Sequence, residues 1–474
     1  MRRIRQAIRV GAAVPAVLLL AGCANGKRWN YQPPASPVLD QAKTWNTKLA
    51  GGATAQPADD ATLTHWWSTL GDPVLTSLEE RAVKANLDVR KAEANIRQAR
   101  ANREAARADL LPSLSANASA TGSRPSTRNF GQVSQSYSAD LDASWEPDFY
   151  HKLRGTVASY QADLEAAQEN LRNTLVTLTA DVALDYVDLR SNQAQLAVIK
   201  ANLVKYEQTY DMTVAKYESG LASALDVQQA LETVQSTQAG IPTVETNIQK
   251  DCNAIAVLLG ARPGAIDAEL TEAKPVPAIP AEVAAGIPAD LLRRRPDVRA
   301  AERELAAQSA RVGVAQANLS PTFALTGTLS FSSKGILNLL TPATLAGSLA
   351  GSVQQTVFNR KRLREQLNVQ SALLDQYETS YESTVLGAIQ DVENALQAFG
   401  AEQVRRKSLA EAAQSAENAA EMSRELYRTG LKDFLTVLDS ERSVLSLQNS
   451  LVQSEATITA NLARLYKAMG GGWQ

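Results

Sequence analysis

The chain says the same thing twice. Asp88, Val89 and Arg90, with Ala92 and Glu93, recur as Asp297, Val298 and Arg299, with Ala301 and Glu302. Leu110, Pro112 and Leu114 match Leu319, Pro321 and Phe323, and Asp181-Val182 matches Asp391-Val392. Tyr217, Gly220 and Leu221 match Tyr427, Gly430 and Leu431, while Leu259-Gly260 matches Met469-Gly470. The period of roughly 210 residues is far too long for a solenoid, so it marks a duplicated half-protein. Any fold must therefore be built from two similar halves, each ordered as helix, two strands, then a long helical hairpin.

The first helix of each half is expected over Val74 to Leu110 and over Ala289 to Leu319, each stopping before a proline that cannot continue it. Period-two alternation follows. Leu114, Ala116, Ala118 and Ala120 are separated by Ser115, Asn117 and Ser119. Tyr137, Ala139, Leu141, Ala143 and Trp145 alternate with Ser138, Asp140, Asp142 and Ser144. In the second half Phe323, Leu325, Leu329 and Phe331 alternate with Thr326, Thr328 and Ser330. Leu345, Leu349, Val353 and Val357 alternate with Ser348, Ser352, Gln354 and Thr356.

Strands of about ten residues with one apolar and one polar face suit a membrane barrel with a wet lumen. A soluble two-layer sheet shows the same pattern. The polar stretches Arg124 to Gln132 and Ser333 to Asn338 would be the external loops. Four strands cannot close on themselves, and open edges are intolerable in lipid. Three chains would make a barrel of about twelve strands.

No proline lies between Pro147 and Pro242, nor beyond Pro342. A helix from Asp148 to Tyr217 would have some seventy residues and run roughly 105 Å, and Asn359 to Tyr427 is nearly as long. Gly220 and Gly430 sit where a left-handed residue would end these helices and reverse the chain. Leu225 to Leu259 and Leu435 to Met469 are the returning arms.

The N-terminus reads as an export signal. Arg2, Arg3, Arg5 and Arg9 precede the apolar run Val10 to Leu20, which is roughly half the length of a spanning helix. It ends in Leu20-Ala21-Gly22-Cys23, a lipobox in which the thiol of Cys23 accepts diacylglycerol. Ala24 is not the Asp that commonly retains lipoproteins at the inner membrane, so the outer membrane is the expected destination. The remaining cysteine, Cys252, then has no intrachain partner and is expected to be a small buried side chain.

Two proline-bearing linkers remain. Cys23 to Thr64 should wrap loosely from the anchor, and the stretch with Pro275, Pro277, Pro280 and Pro288 should pack as a belt of short elements. The formal charge of −2 over 474 residues suggests no nucleic-acid partner. With 5% aromatic residues, composition favours long helices over a compact aromatic core. His65 and His151 are the only histidines and join no metal or nucleophile motif, so catalysis and cofactors are not expected.

The segment Ile287 to Glu302, with Trp66-Trp67 through Gly71-Asp72-Pro73 and the two Tyr-x-x-Gly-Leu turns, resembles the TolC-like outer-membrane efflux proteins, in particular the OprM-type lipoprotein branch. The resemblance covers nearly the whole mature chain. It implies an α+β membrane protein: a trimeric 12-stranded transmembrane β-barrel, four strands per protomer, continued by a 12-helix periplasmic α-barrel with an equatorial belt. It also implies a homotrimer in a tripartite pump, with a periplasmic adaptor and an inner-membrane RND-type transporter as partners.

In that reading 1–22 is the signal peptide and 23–64 the anchored linker. Residues 65–112 and 146–270 are first-half helices, and 113–145 is the first barrel hairpin. Residues 271–290 are the equatorial linker, 291–320 and 359–474 second-half helices, and 321–358 the second barrel hairpin. The family's gate lies beside the second hairpin turn, and corresponds here to Leu435, Asp439 and Arg442, which share a helical face.

Three copies of Leu435 would form an apolar constriction and three of Asp439 an acidic ring, with Arg442 reaching neighbouring protomers. An ordinary exposed i,i+3 pair is the plainer account of Asp439 and Arg442. The first-half equivalents are Leu225, Gln229 and Glu232, so the two hairpins should not gate equally, and Asp226 is placed to bond across them. By the same resemblance Gly220, Leu221, Gly430 and Leu431 form the tip that receives the adaptor. Polypeptide secretion is the alternative cargo class. A periplasmic adaptor is the alternative protein class, but it would carry one hairpin and lack four barrel-like strands.

Overall fold

A computed structural model describes residues 44–56, 59–124, 133–284 and 293–473. Cys23 and most of the Arg124 to Gln132 loop lie outside them, as does the start of the Ile287 to Glu302 segment. In chain order the elements are β1 (Ala53–Thr54), α1 (Asp60–Thr64), α2 (Pro73–Ala85), α3 (Leu87–Ala108), β2 (Ser113–Ser123) and β3 (Ser134–Trp145). Then follow α4 (Lys152–Glu218), α5 (Ala224–Leu258), α6 (Asp267–Leu270), β4 (Val283–Ala284) and α7 (Pro296–Ala317). β5 (Thr322–Ser333), β6 (Leu345–Gln354), α8 (Arg360–Arg428) and α9 (Phe434–Ala468) complete the fold. α4 and α8 have 67 and 69 residues, about 100 Å each at 1.5 Å per residue.

Two compact units emerge. The first takes its described residues from 96–167 and 301–381 and contains the four-stranded sheet; the second takes its described residues from 36–95, 168–300 and 382–474.

In the first unit the sheet order is β2-β3-β5-β6, antiparallel throughout. The register aligns the apolar positions. Ala116 faces Leu141, Leu141 faces Leu329, Phe331 faces Leu345 and Phe323 faces Val353. One face is consequently apolar across all four strands. The other carries a hydrogen-bonded polar net: Asn117 donates to Asp142 at 3.0 Å, Thr328 to Asp142 at 2.8 Å and Ser138 to Asp140 at 3.0 Å. β2 and β6 are the two outer strands. The four strand ends that join helices lie at one end of the sheet, and the hairpin ends, at Ser123, Ser134, Ser333 and Leu345, at the other. β6 stops at Gln354, so Val357, expected to continue its alternation, lies beyond it.

In the second unit the main core gathers Trp66, Leu75, Leu78, Tyr186, Ile255, Phe399, Leu462 and Tyr466. Trp66 stacks on Tyr466 with ring centroids 5.2 Å apart. Cys252 is buried and free, as expected of it, and burial pushes its thiol up to about 11.

Three expectations need correction here. The helix expected over Val74 to Leu110 is two, broken at Asn86. The Asn86 side-chain oxygen accepts from the Asp88 and Val89 N–H groups at 2.8 and 3.2 Å, capping α3, and its amide donates to the Leu258 carbonyl at 2.8 Å. The helix expected from Ala289 is interrupted at Arg295: Arg293 and Arg294 are helical, and the long run starts at Pro296, because the residue before a proline is pushed out of the helical region. That residue, Arg295, donates to the Ala468 carbonyl at 2.7 Å. Asn86 and Arg295 thus make the same tie in each half, to carbonyls 210 residues apart.

The third correction concerns the linker to Thr64, which is not loose where it is described. β1 pairs in parallel with β4, and the Asn46 and Thr47 N–H groups donate to the Glu393 carboxylate at 2.8 and 2.9 Å. Hydrogen bonding of backbone groups that a loose linker would leave to water holds it in place.

Candidate functional site

Each long helix ends at a glycine with positive φ: Gly220 at 74° and Gly430 at 83°. The N–H of Leu221 reaches back to the Lys216 carbonyl at 2.8 Å, and that of Leu431 to the Leu426 carbonyl at 2.9 Å. This 6→1 closure requires the left-handed residue before it. A Cβ on either glycine would meet nothing within 4 Å, so conformation and not crowding calls for glycine. Leu221 and Leu431 are exposed at these turns.

The chain re-enters a helix at once. Ser223 caps α5, accepting from the Asp226 N–H at 3.2 Å, while the Asp226 carboxylate accepts from the Ser223 N–H at 2.9 Å. Asp226 completes a capping box, because an acid at the third helical position lies within reach of the cap's own backbone. Asp433 caps α9 through the Thr436 N–H at 3.0 Å, and hydrogen bonds from Thr436 hold its carboxyl below the usual range.

α9 shows why its residues face as they do. Phe434, Val437, Leu438, Glu441 and Val444 form one buried stripe at helical spacing. Phe434, Val437 and Leu438 pack with Tyr427 and Ala230 in a small core. Leu435, Asp439 and Arg442 fall on the opposite, exposed face. The structure so brings the three expected gate residues together on one surface.

Arg442, expected to reach a neighbouring protomer, bonds Glu232 of its own chain at 3.0 Å. Glu232 is the residue that occupies the Arg442 position in the first half. The pair joins the two returning arms across the duplication, and both side chains remain more than half exposed.

Glu441, which carries no distinguishing motif in the sequence, is buried between the hairpins. It is a carboxylate on the buried stripe, and that misplaced charge was the available signal. Thr209 donates to it at 2.6 Å, Tyr206 donates to its backbone carbonyl at 3.0 Å, and Arg424 stands 3.7 Å away. Adjacent residues of α9 therefore grip both helices of the first hairpin, Glu441 holding α4 and Arg442 holding α5. Beside Glu441 lies a cavity of about 300 Å³ lined by Asn202, Lys205, Glu417, Glu421 and Arg424.

Burial raises the Glu441 carboxyl above its ordinary value, and the Thr209 hydroxyl, Arg424 and Lys205 offset this only in part. The folded state then holds the proton more tightly than the unfolded chain. Stability from this packing is full below the ordinary glutamate value of 4.5, and is lost as pH rises from there through the raised folded value. Glu441→Gln is expected to flatten that dependence, measured as amide exchange around Tyr206 and Thr209 across the acidic range. An unchanged pH profile in the variant would remove Glu441 as its source.

His65 is exposed and His151 half-buried. Among the described residues no group of three or more His, Cys, Asp or Glu side chains could hold a metal, and no helix is long and apolar enough to cross a membrane.

The profile of the outer membrane efflux protein family matches residues 78–261 and 287–471, once for each half. Nodulation protein T of Rhizobium leguminosarum bv. trifolii is 33% identical over 462 residues, covering 96% of both chains. The solvent efflux pump outer membrane protein SrpC of Pseudomonas putida is 30% identical over 465 residues, covering 97% of both. The solved outer-membrane channel OprN superposes with a TM-score of 0.87 at 31% identity, over 95% of this chain and 100% of that one. With both of its duplicated halves matched, and with a relative 33% identical over 96% of its length, the chain belongs to the outer membrane efflux protein family.

Proposed function

We propose that this outer-membrane efflux channel works as a homotrimer in which each chain supplies four strands of a 12-stranded barrel and four helices of a periplasmic tube. The observation that carries it is the sheet: apolar on one face, polar and hydrogen-bonded on the other, with β2 and β6 each paired on one side only. In lipid those two edges must be joined, and copies of the same sheet join them. The apolar face then meets hydrocarbon and the face with Asp140 and Asp142 lines a wet lumen.

Cargo is the class of small amphipathic compounds, in keeping with the solvent pump to which SrpC belongs by name. Conduction is passive: an inner-membrane transporter supplies the energy, and a periplasmic adaptor docks at the turns of Gly220, Leu221, Gly430 and Leu431. The face of Leu435, Asp439 and Arg442 narrows the channel at those turns, and Cys23 carries the lipid that anchors the chain.

Two measurements test this. Extracted in mild detergent after palmitate labelling, the protein is expected as a labelled trimer. A monomeric mass would overturn the shared barrel, and label surviving in Cys23→Ala would overturn the anchor. Deleting the gene is expected to raise susceptibility to several unrelated amphipathic compounds, with restoration by the gene in trans; susceptibility unchanged across such a panel would reject the cargo class.

A further inference from the structure

The hairpin loop between β5 and β6 presents three large aliphatic side chains to solvent: Ile336 is 64%, Leu337 95% and Leu340 73% exposed. The loop is held in one shape. Two single 3-10 turns, Ile336–Asn338 and Pro342–Thr344, are tied by the Thr344 hydroxyl to the Leu339 and Thr341 carbonyls at 2.6 and 2.8 Å. The Thr341 hydroxyl bonds the Asn338 carbonyl at 3.1 Å. A fixed loop with aliphatics this exposed is a surface waiting to be covered.

Its chemistry says by what. From Ser320 to Phe358 the only charged residue is Lys334, two positions from Ile336. Directly below the loop, Phe331 pairs with Leu345 at the top of the apolar sheet face. The loop sits at the strand ends remote from the helices, and so at the external surface in the channel reading on which this inference rests.

We propose that the segment from Lys334 to Leu340 is a lipid-docking tip, its aliphatics entering the outer leaflet and Lys334 meeting the phosphates of anionic lipid there. Clustering of the three tips over the channel mouth is disfavoured by the same lysine, because three cations would converge with no acid in the hairpin to offset them.

The test uses the whole chain in a Cys252→Ser background, with a nitroxide on Leu337→Cys or on Leu349→Cys, in bilayers of phosphatidylcholine with and without lipid A. Leu349 lies on the apolar face of β6 and reports on the barrel. A label at 337 reached by oxygen and shielded from a water-soluble nickel complex supports the proposal. Free access for nickel overturns it in favour of water. Shielding from both reagents overturns it in favour of packing against other copies. If 349 is also reached by nickel, the barrel reading itself falls; if 349 is in lipid and 337 is not, only the tip does. Lys334→Gln is expected to cut boundary preference for lipid A over phosphatidylcholine about five-fold per site, and an unchanged preference would remove the lysine's role.

Discussion

Reversing Arg442 to glutamate is expected to open the channel: single-channel conductance in planar bilayers should rise, and Glu232→Arg added to it should restore the closed level. Arg442 and Glu232 stand 3.0 Å apart, joining α9 to α5. Both are largely exposed, and such a pair contributes only ~0.2–1 kcal/mol. Reversal does more than delete the attraction, since it sets two carboxylates face to face. In the proposed trimer the change would occur three times around the proposed constriction. Together the three copies amount to about 1–3 kcal/mol, or roughly five- to a hundred-fold in the open-to-closed ratio.

The double variant distinguishes a charge pair from a damaged fold, because it restores the pairing with both side chains changed. Conductance equal to the parent's in Arg442→Glu would make the pair an ordinary surface contact. Asp439→Ala tests the rest of the proposed gate face, since Asp439 is exposed there beside Arg442.

The second large effect is on stability. Arg295→Ala is expected to cost about 3 kcal/mol, because it strips a buried guanidinium from several acceptors at once. Arg295 bonds Asp297 at 2.6 Å, Asp391 at 3.1 Å and the Ala468 carbonyl at 2.7 Å. Truncation removes the donor from the carbonyl of the buried residue Ala468. Arg295→Lys should recover only part of the loss, since an ammonium cannot address both acids with a planar fork. The Asn86→Ala variant makes a useful contrast. It removes the matching tie to the Leu258 carbonyl, but no charge. Thermal unfolding that ranked the two variants equally would argue that the charge at Arg295 is incidental.

Much of this was legible from residues alone. The duplication, the four alternating strands, the two glycine turns and the near-equal long helices all depend on short-range pattern: period two for strands, proline-free length for helices, glycine where φ turns positive. The misreadings have local causes too. Asn86 lies inside a helical pattern, and only its bond to Leu258 shows why the helix breaks there.

By itself the sequence determined what each segment is and that the halves are related. Periodicity and turn chemistry are properties of neighbours along the chain. Tertiary structure decided what meets what. It set β3 between β2 and β5, so that Leu141 faces both Ala116 and Leu329 and the large apolar residues of the four strands share one side. It paired Arg442 with Glu232 across 210 residues, and buried Glu441 beside Thr209 across 232. Such contacts are fixed by packing whole helices and strands together, and no pattern within any one of them names its partner.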